Sequence, residues 1–181
     1  MAQTRLVHLS AAGPDEIEAV RVVARNLRAS DREEIFACFW QDDPEELVRR
    51  VFYCPHAAWV AMLDDRPVAA VGVTPLIPGV WSAWAFGTDD FRQVGLLRTR
   101  HVKRFIIPML LNDGAHRCEA QSIDGHHEAH RWLEGFGLVR EATHPGRGRN
   151  GETFHTYARR VDRVLKSEHE RGAGAGGTGG G

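Results

Sequence analysis

Three histidines fall within five residues, His126-His127-Glu128-Ala129-His130. His126 and His130 are four apart, so on a helix they would share a face, as a pair of metal ligands does. The pattern is not H-E-x-x-H and no third ligand is evident, so no metal is expected. Imidazoles titrate near neutral pH, which also makes both candidates for proton transfer. A second candidate is Arg92-Gln93-Val94-Gly95-Leu96-Leu97, an Arg-x-x-Gly at the start of a predicted helix. Orphan N–H groups and the helix dipole favour an anion at such a start. Arg98, Arg100, Lys103 and Arg104 follow at once. They are either a solvated helix face or a reach toward phosphates. Among carboxylates, Glu119 sits on a predicted strand and Asp89 and Asp90 end another. Each could take a proton directly or through water, although acids at strand ends also simply face solvent.

These groups must be positioned by helices and strands that the sequence outlines. Thr4 to Ser10 reads as a first strand. Gly13-Pro14-Asp15-Glu16 opens a helix carrying Ile17, Val20, Val23, Ala24 and Leu27 at helical spacing. Ser30 and Glu33 have capping-box spacing and predict a second helix through Ile35, Phe36 and Phe39. Asp43-Pro44 opens a third, closed by Cys54-Pro55. Ala57 to Leu63 and Val68 to Thr74 are apolar runs across a tight turn, hence a hairpin. Pro75 to Gly79 contains a break, and Val80 to Phe86 is a third strand of this group. A long helix is predicted from Phe91 to Leu111, kinked or ended by Pro108. His116 to Ile123 reads as a strand, His126 to Phe136 as an amphipathic helix stopped by Gly137. Leu138 to Thr143 and Thr153 to Ala158 are the last strands, joined by the basic, Gly-rich loop Pro145 to Glu152. That loop is a surface hairpin or a gate over an acceptor cleft. Strands alternate with helices only in the second half, which predicts an α/β (mixed α+β) fold with a mixed sheet. Trp59, Trp81 and Trp84 are read as core.

The chain has 181 residues, 43% hydrophobic and 26% charged, with a formal charge of −1. That suits one domain over 1–160, a charged extension over 161–171 and a disordered Gly-rich tail over 172–181. The near-neutral charge and the lack of a basic stripe argue against nucleic acid, and no membrane partner is expected. Three widely spaced cysteines make no disulfide framework or CxxC ribbon. No signal peptide is read at the N-terminus and no run is long enough to span a bilayer. The expected location is the cytoplasm, or the interior of a phage particle for the reason given next.

Ala129-His130-Arg131-Trp132-Leu133-Glu134-Gly135-Phe136-Gly137-Leu138 resembles the penultimate helix of the GNAT acetyltransferases, commonly A-x-x-L-Y-E-K-L-G-F. Gly151 to Tyr157 resembles their closing G-x-x-[FY]-x-x-Y strand. With the element order, the resemblance spans about residues 4 to 160. It implies a GNAT-like twisted mixed sheet of about six to seven strands flanked by helices. A narrower pattern joins Trp84 to Asp90, Thr99 to Arg104 and Arg131 to Glu134. It is similar to divergent GNAT-like proteins of tailed phages, including the internal virion, scaffold-like group of podoviruses.

The resemblance implies acetyl-CoA as co-substrate, bound where the sheet opens between the Val80–Phe86 and His116–Ile123 strands. Phe86, Thr88, Arg92, Val94, Gly95, Leu96, Leu97 and Arg98 would line it. Arg92 and Gly95 match the family's Q/R-x-x-G-x-G/A loop, whereas Leu97 stands where Gly or Ala is usual. The family's general acid is a Tyr four residues after the helix alanine, and here that residue is Leu133. His126 replaces the Asn that often begins the helix. A substitute acid would be Tyr157, His126 or His130, with Glu119 as base. Two functions follow. One is an N-acetyltransferase acting on a small-molecule or protein amine. The other is a catalytically degenerate phage virion or assembly protein that works through contact with virion proteins.

Overall fold

The computed structural model describes residues 2–9, 13–53 and 57–161. The Gly-rich tail, nearly all of the charged extension and the Cys54-Pro55 stop lie outside the described residues. Seven strands form one sheet in the order β1-β2-β3-β4-β5-β7-β6. β1 (Thr4–His8), β2 (Ala58–Leu63), β3 (Arg66–Ile77) and β4 (Val80–Gly87) are an antiparallel meander. β5 (Arg117–Ile123) joins β4 in parallel, and β7 (Phe154–Arg160) runs antiparallel between β5 and β6 (Val139–His144). The sheet is therefore mixed, as the alternation of elements predicts.

The β2–β3 turn is two residues long. Asp64 and Asp65 take φ of 47° and 62°, the left-handed pair that matches the twist of a tight hairpin. Strand alternation then sorts the side chains into two layers. Val60, Met62, Ala70 and Phe86 pack under α1 (Pro14–Arg25), α2 (Ala29–Phe36) and α3 (Pro44–Val51). Val71 and Val73 face the opposite layer, packing on Ile106 and Leu110 where the chain runs from α4 (Gly95–His101) into α5 (Ile107–Asn112). α6 (His127–Glu134) covers β5 and β7 through Leu133, with Phe136, Leu138, Ala120 and Tyr157 completing that core.

Four expectations are corrected. The capping box does not form: Arg28 is the extended N-cap and Ser30 falls inside the first turn of α2, while the Arg28 N–H is bonded to Gly87 O at 2.9 Å. α2 stops at Phe36 instead of reaching Phe39. The long helix is interrupted: a 3-10 turn over Asp89–Val94 precedes α4, and a π-helical turn over Val102–Ile106 leads into α5. In the π turn Ile107 N–H reaches Val102 O. Pro108 sits at the start of α5, directly after the π turn. β3 also runs on through Pro75 to Ile77, with an irregular register there.

Candidate functional site

β4 and β5 pair over three positions only, Val80 with Arg117, Trp81 with Cys118 and Ser82 with Glu119. Beyond Ser82 the strands part, and a cleft of about 830 Å³ opens between them. β4 contributes Ser82 to Phe86, and β5 contributes Ala120, Gln121 and Ser122. Trp84 therefore lines the cleft instead of being plain core, its indole N–H donating to Thr74 Oγ1 at 3.1 Å.

The most polar wall comes from α2 and the residue before it. Arg28, Asp31 and Glu34 recur at three-residue spacing, so they share one face of that helix. Asp31 is 3% exposed. Its Oδ2 accepts the Gly87 N–H at 2.7 Å, and its Oδ1 lies 2.8 Å from Arg28 Nε. Burial raises its pKa, outweighing Arg28 and the Gly87 amide. Glu34 reaches across the cleft to β5. Its Oε2 accepts from Ser122 Oγ (2.7 Å) and Ile123 N–H (3.0 Å) and lies 2.9 Å from His126 Nδ1. No described residue donates to Oε1. The contact with Glu34 raises the pKa of His126, against the effect of burial. His126 Nε2 is buried without a hydrogen bond among the described residues, 3.7 Å from Asp31 Oδ1.

The other end of the cleft is cationic. Two guanidinium groups lie over the Phe91 ring, Arg28 at 3.9 Å and Arg98 at 3.4 Å from the ring centroid. Arg98 donates Nη2 to Phe91 O at 3.3 Å, while its Nε and Nη1 are buried with no partner among the described residues. Burial, with Arg28 nearby, lowers its pKa to about 10. Glu128 on α6 bridges the opening, 3.2 Å from Arg28 Nη1 and 3.0 Å from Arg92 Nη2. The hydrogen bond from Arg92 holds the Glu128 carboxyl below its usual range.

The predicted site residues divide accordingly. His126, Phe86 and Arg98 line the cleft. Glu119 does not; it is paired with Arg117 Nε at 2.7 Å, where the two strands are still joined. His130 faces Ile123 O at 3.1 Å and stacks on Tyr157, which is itself buried in the α6 core. Burial lowers the pKa of His130 and raises that of Tyr157. Leu133 is on the cleft wall. Of the loop, Val94 is fully buried and Leu96 is mostly exposed. Thr88 caps the 3-10 turn by accepting from Asp90 N–H at 3.3 Å. The Gly95 N–H is bonded to Arg92 O, so this expected anion donor is already engaged. Gly95 has ordinary helical φ of −59°, and no close backbone approach requires glycine there. Leu97 is partly buried. Among the described residues no three His, Cys, Asp or Glu side chains gather as a metal site would need. The loop from 145 to 153 is fastened to the α2–α3 connection: Arg149 N–H donates to Ala37 O at 2.8 Å and its guanidinium pairs with Asp42.

No protein-family model matches the sequence, and no curated protein matches it significantly. Solved structures do share its architecture. Ard1 from Thermoplasma volcanium is 15% identical, with 90% of this chain and 99% of that one covered at a TM-score of 0.64. The ribosomal-protein-S18-alanine N-acetyltransferase from Escherichia coli is 12% identical, with 88% and 95% covered at 0.63. The yncA protein from Salmonella typhimurium, solved with its cofactor acetyl-CoA, is 10% identical, with 88% and 95% covered at 0.62. The chain has the GNAT fold.

Proposed function

We propose that the protein is an N-acetyltransferase, moving acetyl from acetyl-CoA to an amine in the β4–β5 cleft. The observation that carries this reading is the parting of β4 and β5 after three pairs, in a fold shared with acetyltransferases. A fold alone does not assign a reaction, so the cleft chemistry must also fit. Glu34 Oε1 would take a proton from the ammonium form of the acceptor. The freed amine would attack the thioester carbon, collapse would break the C–S bond, and the new amide nitrogen would release its second proton to solvent. His126, the predicted substitute acid that lines the cleft, would give the departing thiolate its proton. A thiol ionises near ~8.5, so the thiolate leaves tolerably without help. The acid would then add less than it does for a poorer leaving group. Calorimetry with acetyl-CoA, followed by thiol release with a panel of amines, tests the reading; absence of acetyl-CoA binding would overturn it.

A second reading is favoured by Leu133 on the cleft wall and by the engaged Gly95 N–H. In it the chain is a degenerate GNAT-shaped phage virion or assembly protein acting by contact. Acetyl-CoA turnover with any amine counts against it. Pull-down of virion proteins from phage-infected cells, without acetyl-CoA binding, would favour it.

A further inference from the structure

Arg98 is 3% exposed, and two of its three guanidinium nitrogens have no partner among the described residues. A charge taken out of water without partners is adverse for folding. Arg28 lies against the same Phe91 ring, and both arginines line the cleft. Arg28 has the Asp31 and Glu128 carboxylates within 3.2 Å, whereas Arg98 has none at ion-pair distance among the described residues. Glu128 comes from the opposite side of the opening, so its ion pairs with Arg28 and Arg92 span the place where a ligand would pass.

We infer that Arg98 and Arg28 form a side-chain anion site for a phosphate of a cleft-bound ligand, with Glu128 holding Arg28 until the phosphate displaces it. The guanidinium forks supply several N–H donors, which a phosphate can satisfy with more acceptor oxygens than a carboxylate offers. The loop amide at Gly95 is engaged elsewhere, so these side chains take over the anion. Naming acetyl-CoA as the phosphate carrier rests on the proposed function; the site itself does not.

The test is calorimetry on the full chain at low salt, with CoA, pantetheine and inorganic pyrophosphate as probes. CoA and pyrophosphate should bind, both more weakly as salt rises. Arg98→Met should weaken both at least about tenfold, the scale of one lost charge-assisted contact, and leave pantetheine unaffected. It should also raise the Tm, because it removes an unpaired buried charge while keeping a side chain over Phe91. Glu128→Gln, at a partly exposed position, should tighten both anions several-fold. Arg98→Lys keeps the charge but loses the fork, and it replaces Arg98→Met should that variant fail to fold; it too should bind both anions more weakly. Pyrophosphate binding that depends on Arg98, without CoA binding, would keep the site and remove the acetyl-CoA reading. CoA binding indifferent to both Arg98 variants would do the reverse. Failure of both anions to bind, or weaker binding in Glu128→Gln, overturns the site.

Discussion

Glu34 and His126 are joined by a contact whose strength depends on pH. Glu34 favours the protonated imidazole, so the folded pKa of His126 lies above its unfolded value of about 6.5. The stabilisation is complete below that unfolded value and is lost as pH rises through the folded one. Glu34→Gln should therefore lower the Tm more at pH 5.5 than at pH 8.5. The gap will not vanish, because the Ser122 and Ile123 donors lose their carboxylate at every pH. In acetyl transfer the same variant should lose about 10²–10⁴-fold in kcat, the usual contribution of a positioned proton acceptor. An unchanged kcat with a shifted His126 titration would make Glu34 structural. Leu133→Tyr offers the complementary experiment, since it supplies a hydroxyl on the cleft wall. A rise in thiol release would show that the site lacks an acid. Little of this chemistry was legible in the sequence. Arg28, Asp31 and Glu34 were visible as a charged stripe at helical spacing, but the capping-box reading took Ser30 and Glu33 and left the stripe unread. Glu128 was read only as part of a histidine run; its pairing with Arg28, a hundred residues away, is a product of the tertiary fold.

At the scale of elements, Gly87 is the hinge-pin of the site. Its N–H goes to Asp31, its carbonyl accepts from Arg28 N–H, and a Cβ on it would strike the Phe91 ring and Val68 O. The end of β4, the start of α2 and the 3-10 turn thus meet at one residue with no room for a side chain. Gly87→Ala should cost about 1–3 kcal/mol, as overpacking does, and denaturant unfolding will measure it. Because Phe91 carries both arginines, the variant should also weaken pyrophosphate binding. Asp31→Ala removes a carboxylate 3% exposed and should cost about 3 kcal/mol or more, as breaking a buried ion pair does. Near-native stability would mean that water or Glu128 takes over Arg28. The strands and helices around this point were legible because β2 and β4 are short apolar runs rich in aromatic and β-branched residues, and α1 and α6 repeat their apolar residues at helical spacing. The 3-10 and π turns were not, since they differ from an α-helix by one hydrogen-bond register that side-chain spacing does not encode.

The whole molecule divides unevenly at the β4–β5 junction. On one side is a meander of four strands, and on the other a three-stranded block from Arg117 to Arg160. Besides three backbone pairs and the packing of α6, polar straps cross the cleft: Glu34 to Ser122, Ile123 and His126, Glu128 to the arginines, and Arg149 to Ala37 and Asp42. Exposed ion pairs such as Arg149–Asp42 contribute at most about 1 kcal/mol, so Arg149→Ala should move the Tm by only a degree or two. This division was legible in advance as an opening between the Val80–Phe86 and His116–Ile123 strands; the straps were not, since each joins residues far apart in sequence. So narrow a seam has a kinetic consequence. The C-terminal block should open as its own foldon, at a lower free energy than global unfolding. In deuterium exchange followed by mass spectrometry, peptides covering β5, β6 and β7 should then take up label as a group before those covering β2 and β3. A ligand that fills the cleft touches both blocks and binds only when they are together. It should slow the early group until the two sets of peptides exchange in step, and label uptake that was uniform from the start would show the seam to be as strong as the sheet around it.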